Sequence, residues 1–101
     1  MKVVYILYYR AYEFDDLDYG SFQPMYISLN KERVLKRFNY YKTLEISNLD
    51  KYLSNHPDLS ETDKEDYQVD TDSDTLFILY FGKWCYEYMI SEYELDKELK
   101  I

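Results

Sequence analysis

The sequence predicts an α+β fold, a mainly antiparallel four-stranded sheet in the order strand, strand, long helix, short helical and acidic insertion, strand, strand, with the long helix packed across one face. Three observations carry this reading. Val3-Val4-Tyr5-Ile6-Leu7-Tyr8-Tyr9 and Thr75-Leu76-Phe77-Ile78-Leu79-Tyr80-Phe81 are runs with no polar face, the mark of interior strands. Between them, Val34, Leu35, Phe38 and Tyr41 fall within a stripe about 120° wide when wound as a helix. Finally, the alternation of Trp84, Tyr86, Tyr88 and Ile90 with Cys85, Glu87, Met89 and Ser91 follows directly on a tight Gly82-Lys83 turn, as in a hairpin.

Taken in order, the first strand fades near Arg10 into Glu13-Phe14-Asp15-Asp16-Leu17-Asp18-Tyr19-Gly20, where four carboxylates beside a glycine predict a turn or long hairpin loop. Ser21 to Ile27 has strand composition, but Pro24 cannot donate a ladder hydrogen bond, so this strand belongs at an edge or starts after the proline. Ser28 is placed to cap a helix reaching about Lys42, and Arg33, Lys36 and Arg37 project from its solvated back. Ser47-Asn48-Leu49-Asp50 reads as a second capping signal for a short helix carrying Leu49, Tyr52 and Leu53, ended by Asn55-His56-Pro57. Ser60-Glu61-Thr62-Asp63 predicts a further helical turn, and the remainder up to Asp74 a mobile loop. Residues 96–101 form a charged tail.

Composition narrows the function classes. The 101 residues suit one domain, and 20% are aromatic, with Tyr supplying 14 of them; a ring with a polar tip serves a core edge and a binding surface alike. Twenty acids against twelve bases give a formal charge of -8, which disfavours direct contact with nucleic-acid phosphates and with anionic membranes and favours basic partners. Much of the charge is local. Eight acids opposed by Lys64 alone give residues 58–74 a net charge of -7. Cys85 is the lone cysteine, so the chain holds no internal disulfide or thiol cluster for zinc, and a reducing compartment is expected. With no leader pattern at the first residues and no apolar run approaching a membrane span of about 18 residues, a cytoplasmic location follows, in the host cell if the protein is phage-encoded.

Candidate chemistry is sparse. Asp70-Thr71-Asp72-Ser73-Asp74 has the alternating carboxylates of a calcium loop, but Thr75 stands where the turn glycine belongs and Phe81 where the bidentate glutamate belongs. His56 lies beside a helix-ending proline without a neighbouring nucleophile, and Cys85 lacks a base to activate it. No phosphate loop, metal-ligand cluster or catalytic triad signature is present, so no enzyme, cofactor or metal is expected.

Three blocks resemble a family of small uncharacterised bacterial and phage proteins: Val4-Tyr5-Ile6-Leu7-Tyr8-Tyr9 with Tyr12-Glu13-Phe14-Asp15-Asp16, then Tyr26-Ile27-Ser28, then 88–97 with its Glu92-Tyr93-Glu94-Leu95-Asp96. The resemblance spans about half the chain and implies a small α+β fold with no established activity. Two family features depart: Tyr9 and Arg10 stand where a histidine is common, and Glu98-Leu99-Lys100 where a tryptophan is. Residues 46–74 read as an insertion relative to the family pattern, where a function special to this chain would reside.

The functional expectation is a phage- or mobile-element-encoded inhibitor that occupies a basic nucleic-acid-binding surface on a host defence protein, such as a nuclease, in the manner of a DNA-mimicking anti-CRISPR protein. Asp63, Glu65, Asp66, Asp70, Asp72 and Asp74 would stand in for phosphates, with Glu13, Asp15, Asp16 and Asp18 as a second patch. The alternative is an immunity or antitoxin-like protein that neutralises one cognate toxin. A tyrosine-rich exposed sheet face would also suit a homodimer.

Overall fold

A computed structural model of the chain describes residues 2–13 and 20–95. Of the loop predicted at 13–20, Glu13 instead ends the first strand, and residues 14–19, like the charged tail at 96–101, lie outside the described residues. The elements are β1 (Lys2–Glu13), β2 (Gln23–Ser28), α1 (Lys31–Asn55), α2 (Glu61–Lys64), β3 (Tyr67–Asp72), β4 (Leu76–Phe81) and β5 (Trp84–Leu95). They form one antiparallel sheet in the order β2-β1-β5-β4-β3, with α1 on one face. The α+β class holds, but the sheet has five strands, not four.

The added strand is β3. Its acids suggested a loop, yet Tyr67 and Val69 are half-buried opposite Phe81 and Leu79 with Gln68 exposed between them, and after a bulge at Asp70 the half-buried Thr71 pairs with Ile78 on the other face. Burial of those three side chains against β4 outweighs the low strand propensity of aspartate. Pro24 lies in β2, at the opposite edge, where its missing N–H leaves no interior gap in the ladder.

The predicted pair of helices is a single helix of 25 residues. Val34, Phe38 and Leu49 are its buried residues, and Leu35, Tyr41, Ile46 and Leu53 pack beside them on the same core, so the apolar stripe continues through residues 43–47. Glu45 interrupted the pattern by placing an acid on this stripe. The structure accommodates it because the Tyr88 hydroxyl donates to Glu45 Oε1 at 3.1 Å. Asn30, not Ser28, is the N-cap: its side chain accepts from Glu32 N, while Ser28 Oγ accepts from Asn30 N one step earlier. His56 closes the helix, exposed, with its ring stacked on Tyr52 at 4.1 Å.

The helix is long because of the topology. It leaves β2 at one edge and delivers the chain to β3 at the other; 25 residues span about 37 Å, ample to cross five strands spaced roughly 4.8 Å apart. Leu7 from β1, Tyr88 and Ile90 from β5, and Phe77 and Leu79 from β4 meet Val34, Phe38 and Leu49 in the core. The hairpin joining β4 to β5 needs Gly82, whose φ of 66° is in the left-handed region, and a Cβ there would come within 3.1 Å of the Tyr67 hydroxyl.

Glu45 supplies a pH prediction. Burial raises its pKa, opposed by the weaker effect of the Tyr88 hydrogen bond. A carboxyl whose folded pKa exceeds its unfolded one favours folding below the unfolded value, and that contribution is lost as pH rises through the folded value. Glu45→Gln keeps an acceptor for Tyr88 and removes the charge. It is therefore expected to raise the urea midpoint at pH 7, and to gain less over the parent protein as pH falls through the carboxylate range. A variant less stable than the parent at pH 7 would refute this.

Candidate functional site

The face of the sheet opposite α1 is the distinctive surface of the molecule. Strand alternation sends Val4, Ile6, Tyr8, Arg10 and Tyr12 of β1 to that side, opposite Tyr93, Ser91, Met89, Glu87 and Cys85 of β5. Leu76, Ile78 and Tyr80 of β4 pair with Met89, Glu87 and Cys85 and continue the same face, as does Ile27 of β2 opposite Ile6. Among the described residues no helix packs there; Phe22 alone folds over it, its ring edge-on to Tyr8 at 6.4 Å and beneath the Arg10 guanidinium at 4.3 Å. A strand apolar on both faces is expected to be covered on both. Among the described residues a helix covers one face alone, and the other is an aliphatic and tyrosine surface on which Ile27 is 57% exposed.

At its centre lies a polar cluster that the sequence reading missed. Glu87 is buried, 6% exposed. Its Oε2 accepts from Arg10 Nε at 3.0 Å and lies 3.0 Å from Arg10 Nη2, a two-pronged contact; its Oε1 accepts from the Tyr12 hydroxyl at 2.8 Å, and the Cys85 thiol donates to it at 3.7 Å. Burial pushes the Cys85 thiol up to about 11, assisted by the nearby Glu87 charge and opposed by Tyr12 and Arg10, so the thiol is protonated and a poor nucleophile at neutral pH. Burial also raises the Tyr12 pKa, reinforced by hydrogen bonds to Cys85 and Glu87. With its oxygens engaged by these donors, Glu87 anchors Arg10 on the open face. An acid in the middle of an apolar strand was the available signal, because a buried carboxylate demands a partner; the partner, 77 residues away, was not legible.

The acids selected from sequence are distributed unevenly around this face. A bulge between Val69 and Thr71 makes Asp70 the extra residue of β3. Asp70 accepts from Thr71 Oγ1 at 2.9 Å and is hydrogen-bonded to Tyr80, which places it at the rim of the open face. Asp72 is turned to the helix side, where Lys42 Nζ approaches it at 2.7 Å and also donates to the Ser73 carbonyl. Asp72 is thus paired within the chain while half of its side chain remains exposed. Asp63 lies in α2 and its backbone N–H donates to the Ser60 side chain; Glu65 is the C-cap, and Asp66 and Asp74 are exposed in the flanking turns.

Glu13 joins this group at a distance. Glu13, Trp84, Phe81 and Tyr67 form one row across β1, β5, β4 and β3, so Glu13 stands at the same end of the sheet as Glu65 and Asp66, about 14 Å away across three strand spacings. Asp15, Asp16 and Asp18 lie outside the described residues. The alternating acids at 70–74 follow strand and turn geometry, and among the described residues no group of three or more His, Cys, Asp or Glu side chains is arranged to hold a metal ion.

Among the described residues, no helix is long and apolar enough to cross a membrane. No family model matches the chain, and no curated protein or solved structure matches it either.

Proposed function

We propose that the chain is a non-enzymatic binding protein that docks the open face of its sheet on a partner whose contact surface is apolar at the centre and basic along one rim. The reading rests above all on the aliphatic and tyrosine face on which no helix packs among the described residues, bordered on the β3 side by the exposed acids Asp70, Glu65, Asp66 and Asp74. Charge complementarity favours a nucleic-acid-binding protein as the target, with the carboxylates meeting Arg and Lys side chains that otherwise meet phosphates. A phage-encoded inhibitor of a host nuclease is the concrete form of this reading. Asp70, Glu65, Asp66 and Asp74 provide the steering charge, Asp63 adds to the local field, and Asp72 acts through Lys42 to hold the β3 edge on the helix. The apolar face supplies the contact area.

Capture from host lysate, with the bound proteins identified by mass spectrometry, tests the proposal. The full chain is run beside Glu65→Lys/Asp70→Lys/Asp74→Lys and beside Ile6→Gln/Ile78→Gln, after the folding of each variant has been verified. A nucleic-acid-binding protein retained by the parent, displaced by added DNA and lost from both variants is the expected result. Retention should weaken with salt for the parent. Equal capture by the open-face variant would remove this face from the interface, and a lone small toxin as partner would replace the inhibitor reading by that of an immunity protein.

A further inference from the structure

On the helix side of the molecule, at the β2 edge and across the sheet from β3, Tyr26, Arg33, Lys36, Arg37 and Tyr40 line an open cleft of about 440 Å³. The size falls within the range of small-molecule sites. Arg33, Lys36 and Arg37 are spaced i, i+3 and i+4 on α1, which brings three like charges onto one patch in the positively poled half of the helix. In a chain with 20 acids, carboxylates are available to neutralise them, and elsewhere on α1 they do: Lys31 lies 3.8 Å from Glu92, and Lys42 lies 2.7 Å from Asp72. Among the described residues, none of the three cleft cations has an ion-pair partner. Glu32 of the first turn is the nearest acid in sequence and does not pair with them.

The rings give the cleft a second chemistry. The Arg37 guanidinium sits over the Tyr26 ring at 4.8 Å, held by the strand on one side. Tyr40, one turn beyond Lys36 and Arg37, is 61% exposed, with its ring steadied edge-on by Tyr41 at 5.4 Å. Uncompensated cations beside an exposed, oriented ring match an anion that carries a planar group. We propose that this cleft binds a nucleoside phosphate, with the phosphate held by Arg33, Lys36 and Arg37 and the base stacked on Tyr40. The site is independent of the acidic rim and of the open face, so it stands or falls separately from the partner-binding reading.

Calorimetric titration of the full chain with AMP, and separately with inorganic pyrophosphate, at low and moderate salt, tests the proposal. Arg33→Gln/Lys36→Gln/Arg37→Gln should weaken both probes by about ten-fold or more, since charged hydrogen bonds to phosphate are removed. Tyr40→Ala should weaken AMP by about ten-fold through loss of base stacking and leave pyrophosphate nearly unchanged. All four side chains are solvent-facing, and an unchanged urea midpoint verifies that the variants fold. Absence of AMP binding, or AMP binding indifferent to the triple variant, would overturn the site. Loss of both probes in the triple variant with no effect of Tyr40→Ala would overturn the nucleoside assignment.

Discussion

Phe38→Ala is expected to destabilise the protein by about 3–5 kcal/mol, enough to remove much of the stability of a domain this size. Phe38 is fully buried on the helix face, within a single core layer formed by Leu7, Val34, Leu49, Phe77, Leu79, Tyr88 and Ile90. With the sheet covered on one face, no second core exists among the described residues to absorb the loss. Lys42 also crosses the Phe38 ring at 4.5 Å on its way to Asp72, so the cavity would loosen the tie between the helix and β3. At roughly 4–8 °C per kcal/mol for a small domain, thermal unfolding should shift down by well over 10 °C. Phe38→Leu, which retains most of the volume, should cost about 1–1.5 kcal/mol. An alanine variant within 1 kcal/mol of the parent, by denaturant titration, would mean that the helix does not close the core as described.

Glu87→Ala has the second large effect, and it reports on the proposed interface. Removing the carboxylate takes the counter-charge from Arg10, about a quarter exposed, and takes from the Tyr12 hydroxyl the Glu87 oxygen to which it donates. Breaking a buried pair costs about 3–5 kcal/mol; because Arg10 can reach water, about 2–3 kcal/mol is expected here. Arg10→Met should cost less, and the double variant Arg10→Met/Glu87→Leu should cost clearly less than the two single changes together, because it removes both charges and leaves an apolar patch. A double-mutant cycle measured in guanidinium chloride checks this. Additive single effects would show that the 3.0 Å contacts contribute no coupling. The double variant also enlarges the apolar area of the open face and should make the protein more prone to self-association, seen as a concentration-dependent mass in sedimentation.

Much of the local structure was legible because it depends on residues a few positions apart. The stripe of Val34, Leu35, Phe38 and Tyr41, the Ser60 cap, the Gly82-Lys83 turn and the two faces of β5 all follow from periods of 3.6 and 2 and from turn chemistry. Two local readings failed where a residue ran against its element. Glu45 on the apolar stripe split one helix into two in the sequence pattern, and the acids of β3 disguised an alternating strand as a loop. In both cases a tertiary partner compensates for the misplaced charge: the Tyr88 hydroxyl for Glu45, and Lys42 for Asp72.

The candidate surfaces were legible only in part. The sequence shows that the interior strands are apolar on both sides and that an acidic surplus lies at 58–74. It cannot show which strand face goes uncovered, since alternation assigns side chains to two faces without saying what packs on either. Strand order decided that: among the described residues one helix crossing from β2 to β3 covers a single face, while β1–β5 pairing joins Arg10 to Glu87 across 77 positions, a bulge turns Asp70 and Asp72 to opposite sides, and Arg33, Lys36 and Arg37 stand beside Tyr26 at the edge opposite β3. Near neighbours along the chain are enough to specify β1, β4, β5 and the first half of α1, where period and turn chemistry agree. The tertiary structure decided which residues meet and which remain open, because those depend on contacts between segments far apart in the chain.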